Sequence, residues 1–288
     1  MREKPSKISV AHIYLKRGIR WHRNSKPFLS GDAFAQLSDV QFRKPRFHGK
    51  EPNLKEISDA EVIFVPSDYL QEVLTRFKGK LRPKVILTGN SDYEFHSMPE
   101  DIPSTVKLLL LQNSFISDGK RIETLPIGIE NLRWGVNGHP SLMKVLPDQN
   151  MKNEVMIGPF GPTHEIRDRV LREFSEVNGP WKIFDKRLSP EQYVANMAQY
   201  THIAAVRGNG EDTHRLWETL YRGRSPILVE NEWSNSLRKL NLPIKFIESW
   251  NPYLVRNSVM NKDLFTINPS QYGPLWIPYW KEKITNSI

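Results

Sequence analysis

The segment from His202 to Val229 constrains the fold more than any other part of the chain. His202 to Val206 reads as a strand and Arg207-Gly208-Asn209-Gly210-Glu211 as a loop. Asp212 or Thr213 can cap a helix that follows, Gly223 stops it, and Pro226-Ile227-Leu228-Val229 reads as a second strand. Leu216, Trp217, Leu220 and Tyr221 share one side of that helix, the stripe needed to pack it on a sheet. Glycine just beyond a helix accepts the left-handed conformation that ends it. Strand, helix and strand of these lengths make a βαβ unit, whose ligands bind beyond the carboxyl ends of its strands.

The same alternation runs through the rest of the chain and predicts an α/β protein with parallel sheets. Strand-like runs in the first half are Ile8 to Leu15, Glu61 to Val65, Lys84 to Thr88 and Val106 to Leu111. A helix over Tyr69 to Leu74, capped by Ser67 or Asp68, carries Leu70, Val73, Leu74 and Phe77 at helical spacing. Gly135, Asn137, Gly138, Pro140, Pro147 and Asp148 cluster between Asn131 and Asn153 and predict a boundary near residue 150. Beyond it come a strand at Glu154 to Ile157, a loop at 158–162 and a helix to about Val177 capped by Thr163. A strand at Trp181 to Phe184 follows, then a helix capped by Ser189 with Pro190 at its first position. Two domains are expected, 1–150 and 151–288, with the aromatic tail Leu275 to Trp280 packing back toward the first.

Composition excludes some chemistry. With 288 residues and no cysteine, disulfides, thiolate metal sites and a thiol nucleophile are ruled out. No stretch approaches the roughly 18 apolar residues of a membrane span, and the charged N-terminus lacks the apolar core of a secretory signal. A cytoplasmic protein is expected, with contact at a membrane surface compatible with its charge. The net charge of +9 is dispersed over the chain, with no basic run or aromatic-interleaved stripe, so nucleic acid is not expected as a partner.

The loop after Val206 suits an anion. Gly208 and Gly210 permit close backbone approach, and the N–H groups of the following helix turn point outward from its start. Arg207, His214 and Arg215 surround the same spot, and a guanidinium fork matches phosphate oxygens. Glu218 lies one helical turn beyond His214 and is a candidate acceptor for ribose hydroxyls. The blander reading, charges facing water, is preferred for Arg222 and Arg224. A second loop, Gly158 to Thr163, also leads into a helix and places Arg167 within reach of a diphosphate. There is neither a Gly-x-Gly-x-x-Gly fingerprint nor a Gly-Lys-Thr or Gly-Lys-Ser sequence, and no Asp-x-Asp metal motif.

The run Arg207-Gly208-Asn209-Gly210-Glu211-Asp212-Thr213-His214-Arg215-Leu216-Trp217-Glu218, followed by Pro226-Ile227-Leu228, resembles the donor-binding signature of exostosin-like (family 47 type) glycosyltransferases and related bacterial polysaccharide enzymes. Phe28 to Asp32, Gly89 to Asp92, Gln112-Asn113 and Leu125 to Asn131 resemble the same group more loosely, so the likeness spans roughly residues 25 to 230. It implies a GT-B fold, two Rossmann-like domains with parallel sheets facing a central cleft. It also implies inversion without an essential metal or other cofactor. The donor would be a nucleoside diphosphate sugar, UDP-linked by the commonness of such donors, and the acceptor a carbohydrate or glycolipid. Exostosin-type enzymes usually carry a membrane anchor and stem; their absence here favours a bacterial or viral cytoplasmic relative. Glu211 and Glu218 fall one residue short of the spacing found in retaining GT-B enzymes, a coincidence.

Inversion needs a base that takes the acceptor's proton from the first domain's side of the cleft. Asp92 is the first choice, because it follows the strand Lys84 to Thr88 through Gly89-Asn90-Ser91. Asp32 and Glu130 are the rivals, although a helix cap explains Asp32 more simply, a hinge role fits Glu130, and an Asx-turn would account for Asp92. Competing readings of the whole chain are a nucleic-acid-binding protein, another nucleotide-dependent α/β enzyme, and a lectin-like module.

Overall fold

The computed structural model describes residues 24–43, 52–133, 138–148, 151–260 and 267–288. The strand expected at Ile8 to Leu15 lies outside the described residues. The rest forms an α/β protein with two all-parallel five-stranded sheets alternating with helices, consistent with two Rossmann-like domains.

The first sheet contains β1 (Val40–Gln41), β2 (Val62–Pro66), β3 (Val85–Gly89), β4 (Leu108–Leu111) and β5 (Ile122–Thr124), in that spatial order. β2, β3 and β4 are apolar nearly throughout, because a parallel sheet is covered on both faces. Alternate residues go to opposite sides. Ile63, Val65, Ile86, Leu109 and Leu111 meet α2 (Leu54–Asp59) and α3 (Leu70–Arg76) through Ile57, Leu70, Val73 and Leu74. Val62, Phe64, Val85, Leu87, Leu108 and Leu110 face the other way.

That other face explains much of the architecture. Strands added one after another in one direction by right-handed crossovers place their connections on a single side. The opposite side is therefore closed by elements outside those crossovers: Phe34 of α1 (Gly31–Ala35), which precedes β1, Trp217, Leu220 and Tyr221 of the helix after residue 213, and Trp280 and Ile284 of the C-terminal helix Ile277–Thr285. Phe34 and Trp280 meet edge to face at 5.8 Å. Ile277 N–H donates to Pro27 O at 3.1 Å, and Lys283 pairs with Glu123. One apolar cluster thus runs through both halves.

The second sheet contains β6 (Lys152–Ile157), β7 (Trp181–Ile183), β8 (Tyr200–Ala204), β9 (Ser225–Val229) and β10 (Lys245–Ile247). Their spatial order is β10-β9-β8-β6-β7, so the direction of chain growth reverses between β6 and β8. Its helices are α4 (Glu165–Ser175), α5 (Pro190–Met197), α6 (His214–Tyr221), α7 (Glu232–Arg238) and α8 (Pro252–Met260), followed by the C-terminal α9 (Ile277–Thr285).

Several local expectations change. Ser67 to Tyr69 form a single 3-10 turn, and α3 starts at Leu70 with no side-chain cap. α4 is capped by His164 rather than Thr163, through Nδ1 and the N–H of Ile166, and it ends at Ser175. Ser30, not Asp32, caps α1. Thr213 holds the cap position of α6 without a side-chain bond. Ser189 caps α5 in a reciprocal box with Gln192, as its Ser-Pro start suggested.

Arg222 and Arg224 are a larger correction, since they do not face water. They are 1% and 0% exposed. Arg222 pairs with Glu218 at 3.2 Å and donates to Leu142 O. Arg224 donates to Pro147 O at 2.7 Å and to Ala198 O at 3.2 Å. Both satisfy backbone carbonyls of the segment joining the two sheets, which has few strand or helix partners of its own. Among the described residues, no helix is long and apolar enough to cross a membrane.

Candidate functional site

In an open parallel sheet, a crevice forms where the strand order reverses, because the loops on either side of that point diverge to opposite faces. Here the diverging loops follow β6 and β8. They are the two glycine-containing segments singled out in the sequence, 158–163 and 205–213.

Arg167, in the first turn of α4, joins them. Its Nε donates to Arg207 O (2.8 Å) and one Nη to Val206 O (3.1 Å). The other Nη reaches Gly161 O (3.1 Å) and Thr163 Oγ1 (2.8 Å). Gly208 packs closely beside it, since a Cβ there would stand 3.0 Å from an Arg167 Nη. Arg215, from α6, donates to Pro159 O and lies over the rings of Phe160 (4.8 Å) and Tyr193 (5.2 Å). Neither arginine forms an ion pair among the described residues, and one Nη of Arg215 is buried without a partner there. Burial, and then the charge of Arg215, pull Arg167 down to about 10. Two adjacent cations without a counter-charge make a site whose electrostatic deficit an anion would fill.

The loop after β8 also touches the first half. Arg207 spans Glu94 (2.7 Å) and Glu211 (2.9 Å), and Asn209 donates to Asp92 at 3.2 Å. Asp212 N–H donates to Asn113 Oδ1 at 2.8 Å, and Gly210 packs so closely that a Cβ would lie 2.6 Å from Asn113 Nδ2. His214 Nδ1 lies 2.7 Å from Gly128 O. The Asp212 carboxylate accepts from Ile127 N–H and Trp217 Nε1, each at 2.8 Å. Burial pushes its pKa up to about 7 against those bonds. Burial likewise raises Glu211, opposed by Arg207.

Two cavities flank this loop. The first, about 770 Å³, opens at the carboxyl ends of β1, β2 and β3. Asp32, Asp92 and Glu130 line it together, as do Asn131, Tyr93 and His214. Asp32 is paired there with Arg133. The second, about 660 Å³, opens at the carboxyl ends of β8 and β9, with Arg207, Glu211, Asn231, Trp233 and Trp250 in its wall.

The sequence-derived residues therefore divide. Arg207, Gly208, Asn209, Gly210, Thr213, His214, Arg215 and Arg167 gather around the reversal point, and Asp92, Asp32 and Glu130 share one cavity. Asp212 and Glu218 are in the same segment but buried. Asp212 ties the halves together, and Glu218 faces Arg222 and lines neither cavity. Sequence reasoning did not find Glu94, Tyr193, Trp233 or Trp250. They lie on separate elements, and no spacing along the chain links them to the loop. Among the described residues, no group of three His, Asp or Glu stands ready to hold a metal ion.

Fold and site together define an α/β protein of two Rossmann-like halves, with a polar crevice at the reversal point of its second sheet. No protein-family model matches the chain, and no curated protein matches it.

Proposed function

We propose that this chain is a GT-B-type glycosyltransferase related to the exostosin-like enzymes, which moves a sugar from a nucleoside diphosphate sugar to a carbohydrate or glycolipid acceptor with inversion. One observation carries this reading. The segment Arg207 to His214 forms part of the wall of both cavities, Arg207 and Glu211 in the second and His214 in the first. A donor with its nucleoside in the second cavity and its sugar in the first must lay its diphosphate across this segment. Trp233 and Trp250 offer aromatic surface to a base, and Asn231 offers polar groups.

Transfer requires an acceptor hydroxyl to lose a proton as it attacks the anomeric carbon opposite the leaving diphosphate. The first cavity holds Asp92, Asp32, Glu130 and His214 for that task. Binding energy falls on the diphosphate, and the reacting carbon is left between the two halves, where both substrates are oriented at once.

A thermal-shift panel of UDP, GDP, CMP and their sugars tests the reading, because a ligand stabilises the state it binds. One nucleotide class, UDP by expectation, should raise the melting temperature and its sugar should be transferred or slowly hydrolysed. Arg207→Ala should weaken that nucleotide by ~1.5–3 kcal/mol, the scale of a charge-assisted hydrogen bond. No shift with any nucleotide would reject the proposal.

A further inference from the structure

The His214 imidazole is held in one orientation and one tautomer. Its Nδ1 lies 2.7 Å from Gly128 O, and a carbonyl only accepts, so Nδ1 carries the proton. The neutral ring then has its lone pair on Nε2, which has no partner among the described residues. The acceptor carbonyl is itself firmly placed. Gly128 sits at φ +67°, where a Cβ would come within 2.2 Å of Leu29 O, and its neighbour Ile129 N–H bonds that same oxygen at 2.8 Å. His214 opens α6 directly after the loop proposed to carry the diphosphate. It is also the one residue beyond 151 that lines the first cavity among the described residues.

The charged groups lining that cavity are Asp32, Asp68, Asp92, Glu130, Arg43 and Arg133. Asp32 is held in an ion pair with Arg133. Asp92 accepts a hydrogen bond from Asn209, and Glu130 also has a partner. His214 lines this same cavity, and its Nε2 has no hydrogen-bond partner among the described residues.

We propose, building on the transferase reading, that His214 is the catalytic base. Nε2 takes the proton of the acceptor hydroxyl as that oxygen bonds to the anomeric carbon. The bond from that carbon to the diphosphate oxygen breaks, and its electron pair leaves with the nucleoside diphosphate. The imidazolium then returns its proton to solvent. Gly128 O stabilises the charged ring through the Nδ1–H bond, the service that an orienting acceptor provides in histidine bases generally.

The test is His214→Asn in the full chain. Asparagine Nδ2 stands near the place of Nδ1 and can still donate to Gly128 O, whereas nothing replaces Nε2. The expected result is a fall in kcat of at least ~100-fold with donor affinity near wild type, together with loss of the acid limb of the kcat–pH profile. A variant that keeps more than a tenth of wild-type kcat, or keeps that limb, overturns the assignment. A loss of donor affinity as large as the loss of turnover also overturns it, making His214 a donor ligand. If Asp92→Asn instead abolishes the limb, the base is Asp92. Should the wild-type chain bind no nucleotide and transfer no sugar, the transferase reading falls and takes this one with it. If it transfers and His214→Asn does too, only the base assignment is lost.

Discussion

Removing one oxygen atom from the buried helix α6 should measurably loosen the contact between the halves. Tyr221 is 1% exposed, and its hydroxyl accepts from Leu29 N–H at 3.0 Å while donating to Leu275 O at 2.6 Å. One oxygen therefore satisfies backbone groups of the first half and of the C-terminal tail. Tyr221→Phe keeps the ring, which meets Phe28 edge to face at 4.9 Å and Trp276 at 5.4 Å, so packing is preserved. It leaves a buried N–H and a buried C=O unpaired, each costing about 1–3 kcal/mol, so the sum is about 2–6 kcal/mol. One apolar cluster spans both halves, so the loss should appear in a single urea transition. At a slope near 3 kcal/mol/M, the midpoint would fall by about 0.7–2 M. Nucleotide affinity at permissive temperature should hold, because Tyr221 lines neither cavity. A change below about 0.5 kcal/mol, the scale of an ordinary surface substitution, would refute the bridging role of the hydroxyl.

Arg224→Met should cost about 2–4 kcal/mol in the same assay, since it strands buried carbonyls at Pro147 and Ala198; an unchanged midpoint would mean water replaces the guanidinium. The pKa of Asp212 is raised to about 7 from 3.8 by burial, so the folded state holds a proton that the unfolded state has released between those values. Its contribution is therefore full below about pH 4 and is lost as pH rises through 7, a fall on the order of 4 kcal/mol. Urea titrations from pH 4 to 8 should show that slope in the wild type and a flatter one in Asp212→Asn; parallel profiles would contradict it. Sugar transfer should proceed in EDTA, as the absence of an Asp-x-Asp motif and the family resemblance lead us to expect; loss restored by manganese would overturn that expectation.

The sequence by itself determined the elements whose causes are local. The parallel strands announced themselves as apolar runs, α5 by its Ser-Pro start, and the end of α6 by Gly223, which takes φ +76°. The loop at Arg207 was legible for the same reason, because its glycines, cap and arginines are consecutive and all act within one turn of a helix. Edge strands of two or three residues, such as Val40–Gln41 and Ile122–Thr124, carry too little pattern to be read.

Only the tertiary structure decided where charges go. Arg222 and Arg224 read as surface residues because nothing nearby in sequence pairs with their full set of donors. Their carbonyl partners at Leu142, Pro147 and Ala198 come from segments brought together by folding. Asp212 looked like a ligand contact, yet Ile127 and Trp217 claim its oxygens. His214 moved the other way, from a residue of the anion loop to the wall of the cavity that holds Asp92, Asp32 and Glu130. A helix start fixes which backbone groups point outward, and sequence can show that. Which face of the molecule lies opposite them depends on the order of strands in the sheets and on long-range burial. Here the first sheet had a face that its own crossovers left bare, so α6 and the tail had to cover it, and the loop after β8 was carried against the first half with them.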